Sequence, residues 1–265
     1  MNTRTLRFLL SCTLISWSAM AAEPAAPPAD LARSVAEVAG YESGASLEPL
    51  RQIEILVGQS VGKSGLRSEL ETALAKLITG NATHEAKRFA CQQLAIVGSD
   101  RSLSAVAELL KHNETVGLAC LALGTRPSTK ASALLRKSLS SLRGVARAQV
   151  IDTLGDRRDI ASVILLTHLA RDPDLTTAEA AITALGKIAD RPARNAITGL
   201  RKQANPALAR AVLDASLRVA EKLAAAGDRK AVAALYDELS QPAQPSFVRR
   251  AAEAALRGIN QPKTP

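Results

Sequence analysis

The dipeptide Asp-Arg recurs between pairs of segments whose apolar residues have helical spacing. It occurs at Asp100-Arg101, Asp156-Arg157, Asp190-Arg191 and Asp228-Arg229, and a degraded copy retains Arg126. Successive arginines are about 25 to 38 residues apart, which is the period range of helical-hairpin repeats. Because a single hairpin of this kind cannot bury its apolar stripe alone, the pattern predicts hairpins stacked in an array.

Each turn is preceded and followed by a segment with one apolar stripe at i, i+3 or i+4, and i+7. The segments "EAKRFACQQLAIVG" and "SLSAVAELLKH", on either side of the first turn, are typical of the set. A further hairpin without Asp-Arg is predicted within residues 46–80, a closing helix within 246–259 and a short capping helix within 30–40. No stretch alternates apolar and polar residues like a strand, so the predicted fold class is all-α.

The turn residues have a structural explanation. An aspartate at the start of the second helix can accept hydrogen bonds from unpaired N–H groups and oppose the positive helix end. Gly98, Gly124, Gly155 and Gly227 precede the turns, where helices commonly end in a left-handed residue. We therefore interpret the four Asp-Arg pairs as structural turns, because no copy stands apart from the others as a catalytic one would.

The segment "AEAAITALGKIADRPA", with its pattern A-x-x-A-L-G-x-I-x-D-x-x-A, and the Asp-Arg turns resemble HEAT-like repeats of the phycobilisome-lyase type. The resemblance covers residues 45–259. It implies an α-solenoid of stacked antiparallel hairpins, in which the turn aspartate and a nearby basic residue form ladders between repeats and the second helices line the concave surface. Thr125 replaces the turn aspartate in the third repeat, which puts that part of the ladder in doubt. The resemblance implies a fold and no single function, because such repeats serve many purposes.

Residues 1–21 have the features of a bacterial secretory signal. Arg4 and Arg7 precede a short apolar run over 8–17, and Ala19-Met20-Ala21 gives a small-x-small cleavage site. Cleavage after Ala21 predicts a periplasmic or secreted protein. The alternatives are a lipoprotein acylated on Cys12 and a buried N-terminal helix.

The predicted mature chain has three parts. A Pro/Ala-rich linker with the short capping helix covers residues 22–44, the solenoid covers 45–259, and a tail covers 260–265. No later segment is long and apolar enough to cross a membrane. The mature chain keeps Cys91 and Cys120, which we predict to be unjoined, since packed helices lie about 8–10 Å apart and a disulfide needs Cα atoms within about 4.4–6.8 Å. Export leaves a disulfide as the alternative.

Composition argues against several functional classes. The net charge is +9, but only 2% of the residues are aromatic, so the stacking platforms of nucleic-acid binding are lacking. The one His-Glu dyad, His84-Glu85, cannot build the di-iron centre of HEAT-like hydroxylases, and Arg88 stands where a zinc motif would place its second histidine. We therefore expect no metal, no cofactor and no enzymatic activity.

The second helices carry cations after their paired apolar residues, and these form a predicted partner-binding stripe. Its members are Lys111, Arg136, Lys137, Arg201 and Lys202, and Asp237-Glu238 makes its C-terminal end acidic. The stripe favours an acidic protein or another anionic partner, although cations near helix C-termini also suit the helix dipole and solubility. The resulting hypothesis is a non-enzymatic scaffold. An accessory subunit of an exported enzyme and an enzyme with an unrecognised site are the alternatives.

Overall fold

The computed structural model describes residues 29–202, 205–242, 244 and 246–260, and the regular structure within these ranges is entirely helical. The predicted all-α class is therefore confirmed. The α-helices of the described residues are α1 (Ala29–Ala39), α2 (Glu48–Gln59), α3 (Ser64–Thr79), α4 (His84–Val97), α5 (Leu103–Leu109), α6 (Val116–Leu123), α7 (Thr129–Ser138), α8 (Gly144–Asp156), α9 (Val163–Leu169), α10 (Leu175–Ile188), α11 (Arg191–Lys202), α12 (Ala209–Ala225), α13 (Arg229–Leu239) and α14 (Ser246–Asn260). Short 3₁₀ turns precede α5, α9 and α12.

The helices pack in two rows. In the first row, the helices α2, α4, α6, α8, α10 and α12 pack against one another in succession. The odd-numbered helices lie alongside: α1 contacts α3, α3 contacts α5, and α9 contacts α11. Each odd-numbered helix from α3 to α13 also packs on the even-numbered helix that follows it. Most of the contacts therefore join elements that are close neighbours along the chain.

One aliphatic core runs between the rows, from Leu31 in α1 to Val232 in α13. Phe89 in α4 is an aromatic member of this core. A smaller cluster, which includes Leu239 and Val248, attaches α14 to α13. The low aromatic content of the chain thus appears in the structure as a core of Ala, Val, Leu and Ile. The predicted capping helix, α1, belongs to this core, because Leu31 and Val38 are fully buried.

Glycines in the even-numbered row allow two close helix–helix contacts. A Cβ atom at Gly155 in α8 would lie 2.8 Å from Cα of Ala184 in α10, and one at Gly186 would lie 2.9 Å from Cα of Ala215 in α12. In both pairs, the glycine and the alanine are the same number of residues apart in the sequence. Of the four glycines expected at left-handed helix ends, Gly227 alone has a positive φ, 77°. Gly155 lies within α8, and its function is close packing.

Several predicted segments lie outside the described residues. These are the signal segment 1–21, the linker up to residue 28 and residues 261–265 of the tail. Within the described ranges, no helix has the length and apolar character needed to span a bilayer.

The close contact at Gly155 predicts that two glycine-to-alanine substitutions change the free energy of unfolding by different amounts. Gly155→Ala places a methyl group against the backbone of α10, and overpacking of this kind typically costs about 1–3 kcal/mol of unfolding free energy. Gly199→Ala, in α11, is the matched control, because nothing lies within 4 Å of the added Cβ atom. The control should be neutral or stabilise by up to about 1 kcal/mol, since alanine is the better helix former. Urea denaturation followed by circular dichroism measures both, and equal effects would contradict the packing.

Candidate functional site

A buried carboxylate organises the first Asp-Arg turn. Glu71 in α3 has only 3% of its side chain exposed. It accepts hydrogen bonds from the backbone N–H groups of Ser99 at 2.7 Å and Ser102 at 3.0 Å, and it pairs with Arg101 at 3.2 Å. Burial raises the pKa of this carboxyl, but the hydrogen bonds from Ser99 and Ser102 together outweigh burial and lower it. Glu71 therefore anchors this turn to the preceding hairpin, mainly through the two backbone N–H groups, and Arg101 is an exposed partner.

Two further arginines hold the next turns through backbone carbonyl groups. Arg126, the arginine of the degraded copy, is 4% exposed and donates to the Ser99 carbonyl and to Ser102 Oγ. Arg157 donates to the carbonyl oxygens of Arg126 and Ser128, both at 2.7 Å. Buried carbonyl groups need such partners. These side chains are therefore committed to joining consecutive turns.

The turn aspartates divide into two roles. Asp190 accepts from the N–H of Ala193 at 2.8 Å and Asp228 from the N–H of Ala231 at 3.1 Å, so each caps the helix that follows. Asp100 and Asp156 do not cap a helix, contrary to the sequence interpretation. Ser99 is the N-cap at Asp100, and α8 continues through Asp156. Arg191 and Arg229 are the exposed first residues of α11 and α13.

The two aspartates that do not cap pair with lysines of the following hairpin. A carboxylate oxygen of Asp100 lies 3.2 Å from Nζ of Lys130 in α7, and one of Asp156 lies 2.7 Å from Nζ of Lys187 in α10. Lys187 also pairs with Asp152, one turn earlier in α8. At the intervening turn, where Thr125 stands in place of aspartate, Arg157 makes backbone bonds instead. A polar contact thus crosses from hairpin to hairpin at each of these turns.

A groove between α6 and α8, which the sequence did not predict, has a volume of about 930 Å³. Its walls include Cys120, Leu121, Gln149 and Asp152, and no histidine lines it. Burial raises the pKa of the Cys120 thiol to about 11, so the thiolate that a nucleophile requires is scarce near neutral pH. Cys120 is therefore not an activated nucleophile near neutral pH.

Three members of the predicted basic stripe have acidic partners. Arg136 pairs with Asp159, at the start of the next hairpin's second helix, and has 26% of its side chain exposed. Arg201 pairs with Glu238 in α13 and is 13% exposed, and Lys111 pairs with Glu108 at 2.7 Å. The sequence has no acidic residue between Glu114 and Asp152 or between Asp190 and Asp214. Cancellation instead comes largely from the neighbouring hairpin, and Glu238 of the acidic end takes part in it.

Lys137 and Lys202 differ from the arginines beside them. Both are exposed and lack an ion-pair partner among the residues that the structure describes. In α7, Leu135 is buried, and at about 100° per residue Lys137 points to the opposite side while Arg136 points to the flank. Leu200, Arg201 and Lys202 repeat this arrangement in α11. We call the outward side of α5, α7, α9 and α11 the odd-helix face; its exposed members include Lys111, Lys137, Ile164, His168 and Lys202.

The three histidines of the described part do not converge on a metal. His84 begins α4, His112 follows α5, and His168 lies in α9. No group of three or more His, Cys, Asp or Glu side chains in the described ranges has a geometry that could hold a metal ion. Comparison of the sequence with protein-family models and with curated proteins finds no match.

The Glu71 contacts predict a dependence of stability on pH. Since the pKa of Glu71 is lowered on folding, its carboxylate stabilises the fold above its unfolded pKa, about 4.3, and this contribution is lost as the pH falls through the folded value. Glu71→Gln should cost about 1–3 kcal/mol near neutral pH, because an amide leaves buried donors poorly matched. It should also reduce the loss of stability in acid. Denaturation at several pH values measures this, and Glu54→Gln, at an exposed position of α2, should behave like the unmodified chain.

The cysteines give a second prediction. Cys91 and Cys120 are both free, and burial raises the pKa of Cys91 to about 12. We expect slow alkylation of the folded protein near pH 8 and rapid labelling of both thiols in denaturant without reductant, as their pKa values fall to about 8.5 on unfolding. Mass spectrometry counts the alkyl groups. A denatured chain that takes up no label at these two positions would show that they form a disulfide.

Proposed function

We propose that this chain is an exported, non-enzymatic scaffold, built as a HEAT-like α-solenoid, that binds an acidic protein partner on its odd-helix face. Three features support the solenoid. The even-numbered helices pack successively, the Gly155–Ala184 contact recurs one hairpin later as Gly186–Ala215, and polar contacts cross between consecutive turns. Repetition of one interface along a chain is what an array of similar units requires.

A binding role is supported by how the polar groups of the turns are used. Glu71, Arg126 and Arg157 have their hydrogen-bonding groups directed at neighbouring turns, where they support the fold. The Cys120 thiol in the α6–α8 groove is protonated near neutral pH. The hydrogen bonds of Glu71, Arg126 and Arg157 thus stabilise the fold. This favours a binding function at the surface over catalysis.

The observation that carries the proposal is the pair of free lysines on the odd-helix face. Lys137 and Lys202 point away from the core at equivalent places in α7 and α11, whereas Arg136 and Arg201 are neutralised at the flanks of the same helices. Unpaired cations on an exposed surface attract an acidic partner and accelerate its association. The signal-like segment 1–21 supports a partner outside the cytoplasm.

The proposal predicts that Lys137→Glu combined with Lys202→Glu abolishes partner capture from a periplasmic extract. Changing the two arginines would be less informative, because it would also break their pairs with Asp159 and Glu238. Exposed charges contribute little to stability, so the variant should remain folded by circular dichroism. Capture by the wild type should weaken as salt is raised beyond about 0.15 M.

The matched control combines Lys63→Glu and Lys230→Glu. It makes the same change in net charge at exposed positions before α3 and at the start of α13. The control should capture the partner as the wild type does. Equal capture by all three proteins would contradict an electrostatic role for the odd-helix face, and equal loss in both variants would assign the effect to net charge.

A further inference from the structure

Two isoleucines on α9 and the turn before it are exposed on the odd-helix face. Ile164 is 86% exposed and Ile160, one turn earlier, is 64% exposed. The buried side of α9 is already filled by Val163, Leu166 and Leu169, which pack between the rows. Ile164 lies nearly opposite to these residues at about 100° per residue. Neither isoleucine is therefore part of the core.

Two neighbouring helices, α7 and α11, flank the isoleucines. The pair Arg136–Asp159 holds the end of α7 beside the start of α9, and α9 packs against α11 on its other side. Ala133 in α7 and Ala161 beside Ile160 are also exposed and carry only a methyl group. Neither alanine can block the approach of a partner's side chain to the isoleucines, and His168 stands one turn after Ile164 on the same face.

Two lysines without an ion-pair partner among the described residues flank this apolar pair, and the charges of Arg136 and Asp159 beside it are paired with each other. Lys137 lies on α7 and Lys202 on α11, so one free lysine stands on each of the helices that flank α9. Large apolar side chains at the centre of a contact supply much of its binding energy, while charges at the rim set specificity and rate. An apolar pair between two cations therefore matches a segment that is acidic and also carries large apolar residues.

We propose that Ile160 and Ile164 form the apolar anchor of the odd-helix face, and that its occupant is an acidic, amphipathic peptide segment of a partner protein. This inference rests on the proposed function, which requires only an acidic partner. It adds that the partner must insert leucine, phenylalanine or a similar residue against α9. A second copy of this chain is a poorer occupant, because two cationic faces repel each other.

The test uses two synthetic peptides of equal negative charge and a third probe, polyglutamate. One peptide carries leucines at i, i+3, i+4 and i+7 among glutamates, the spacing of a helix that docks by one face. The other replaces these leucines with alanine. Fluorescence anisotropy with the full chain should show that the leucine peptide binds at least about ten-fold more tightly than the alanine peptide, as expected for an apolar anchor.

The variant Ile160→Ala/Ile164→Ala should remove this preference and leave the affinity for polyglutamate unchanged. The matched control is Ile55→Ala/Val145→Ala, at exposed positions of α2 and α8 in the other row, and it should retain the preference. The proposal is overturned if the leucine peptide has no advantage, if it fails to bind, or if the isoleucine variant retains the preference.

The outcomes also separate this proposal from the proposed function. If Lys137→Glu/Lys202→Glu weakens every probe while the isoleucine variant changes nothing, the apolar anchor fails and the acidic-partner face stands. If neither variant has an effect, both proposals fail. Binding to vesicles of phosphatidylglycerol that depends on Ile164, without peptide binding, would assign the face to a lipid surface and overturn a peptide occupant. Concentration-dependent dimerisation that the isoleucine variant abolishes would assign it to a second copy.

Discussion

The near contact between backbones at Gly155–Ala184 and Gly186–Ala215 is the constraint on which the rest of the molecule depends. It brings α8, α10 and α12 together closely enough for side chains of one hairpin to reach the turn of the previous one. Lys187 shows the consequence. Its Cδ would lie 3.2 Å from a Cβ atom at Gly155, and its ammonium reaches both Asp152 and Asp156. Any side chain at Gly155 would compete with that lysine for space.

The way in which each second helix begins explains why the Asp-Arg turns do not all use their side chains in the same way. Where aspartate is available and the second helix starts directly, as at Asp190 and Asp228, it caps that helix. Where a 3₁₀ turn or extra residues intervene, the aspartate is free to pair across to the next hairpin, and arginine takes over the backbone carbonyls. The turn aspartates and arginines are thus occupied by contacts within the fold. The outward side of the odd-numbered helices carries charged and apolar residues that make no such contacts.

Much of the fold could be predicted from the sequence, because helices, caps and apolar stripes are local features. Segments such as "ALGKIADRPA" predicted helices separated by short turns, and α1 to α14 lie where the apolar periodicity placed them. Longer-range polar contacts could not be predicted in this way. The bond from Glu71 to Ser99 and the pair Arg201–Glu238 depend on the register between hairpins.

In the candidate site, the direction of a side chain could be predicted from the sequence, but its ion-pair partner could not. Helical periodicity applied to "LRK" at 135–137 and 200–202 would have placed the lysines outward and the arginines at the flanks. The acidic partners of those arginines come from other hairpins, and sequence proximity gave no sign of them. The exposure of Ile164 was likewise hidden, because in "ASVILLTHLA" it stands within an unbroken apolar run whose inward and outward members the sequence does not separate.

The shape of the molecule in solution tests the central claim, a row of hairpins held by neighbour contacts, most directly. Small-angle X-ray scattering of a chain starting at Ala22 measures the radius of gyration and the distribution of interatomic distances. A compact globule of this length has a radius of gyration of about 18 Å. Helices stacked about 8–10 Å apart along two rows predict a value above about 20 Å and an asymmetric distribution with a long tail. A symmetric distribution with a radius of gyration near that of the globule would contradict the array.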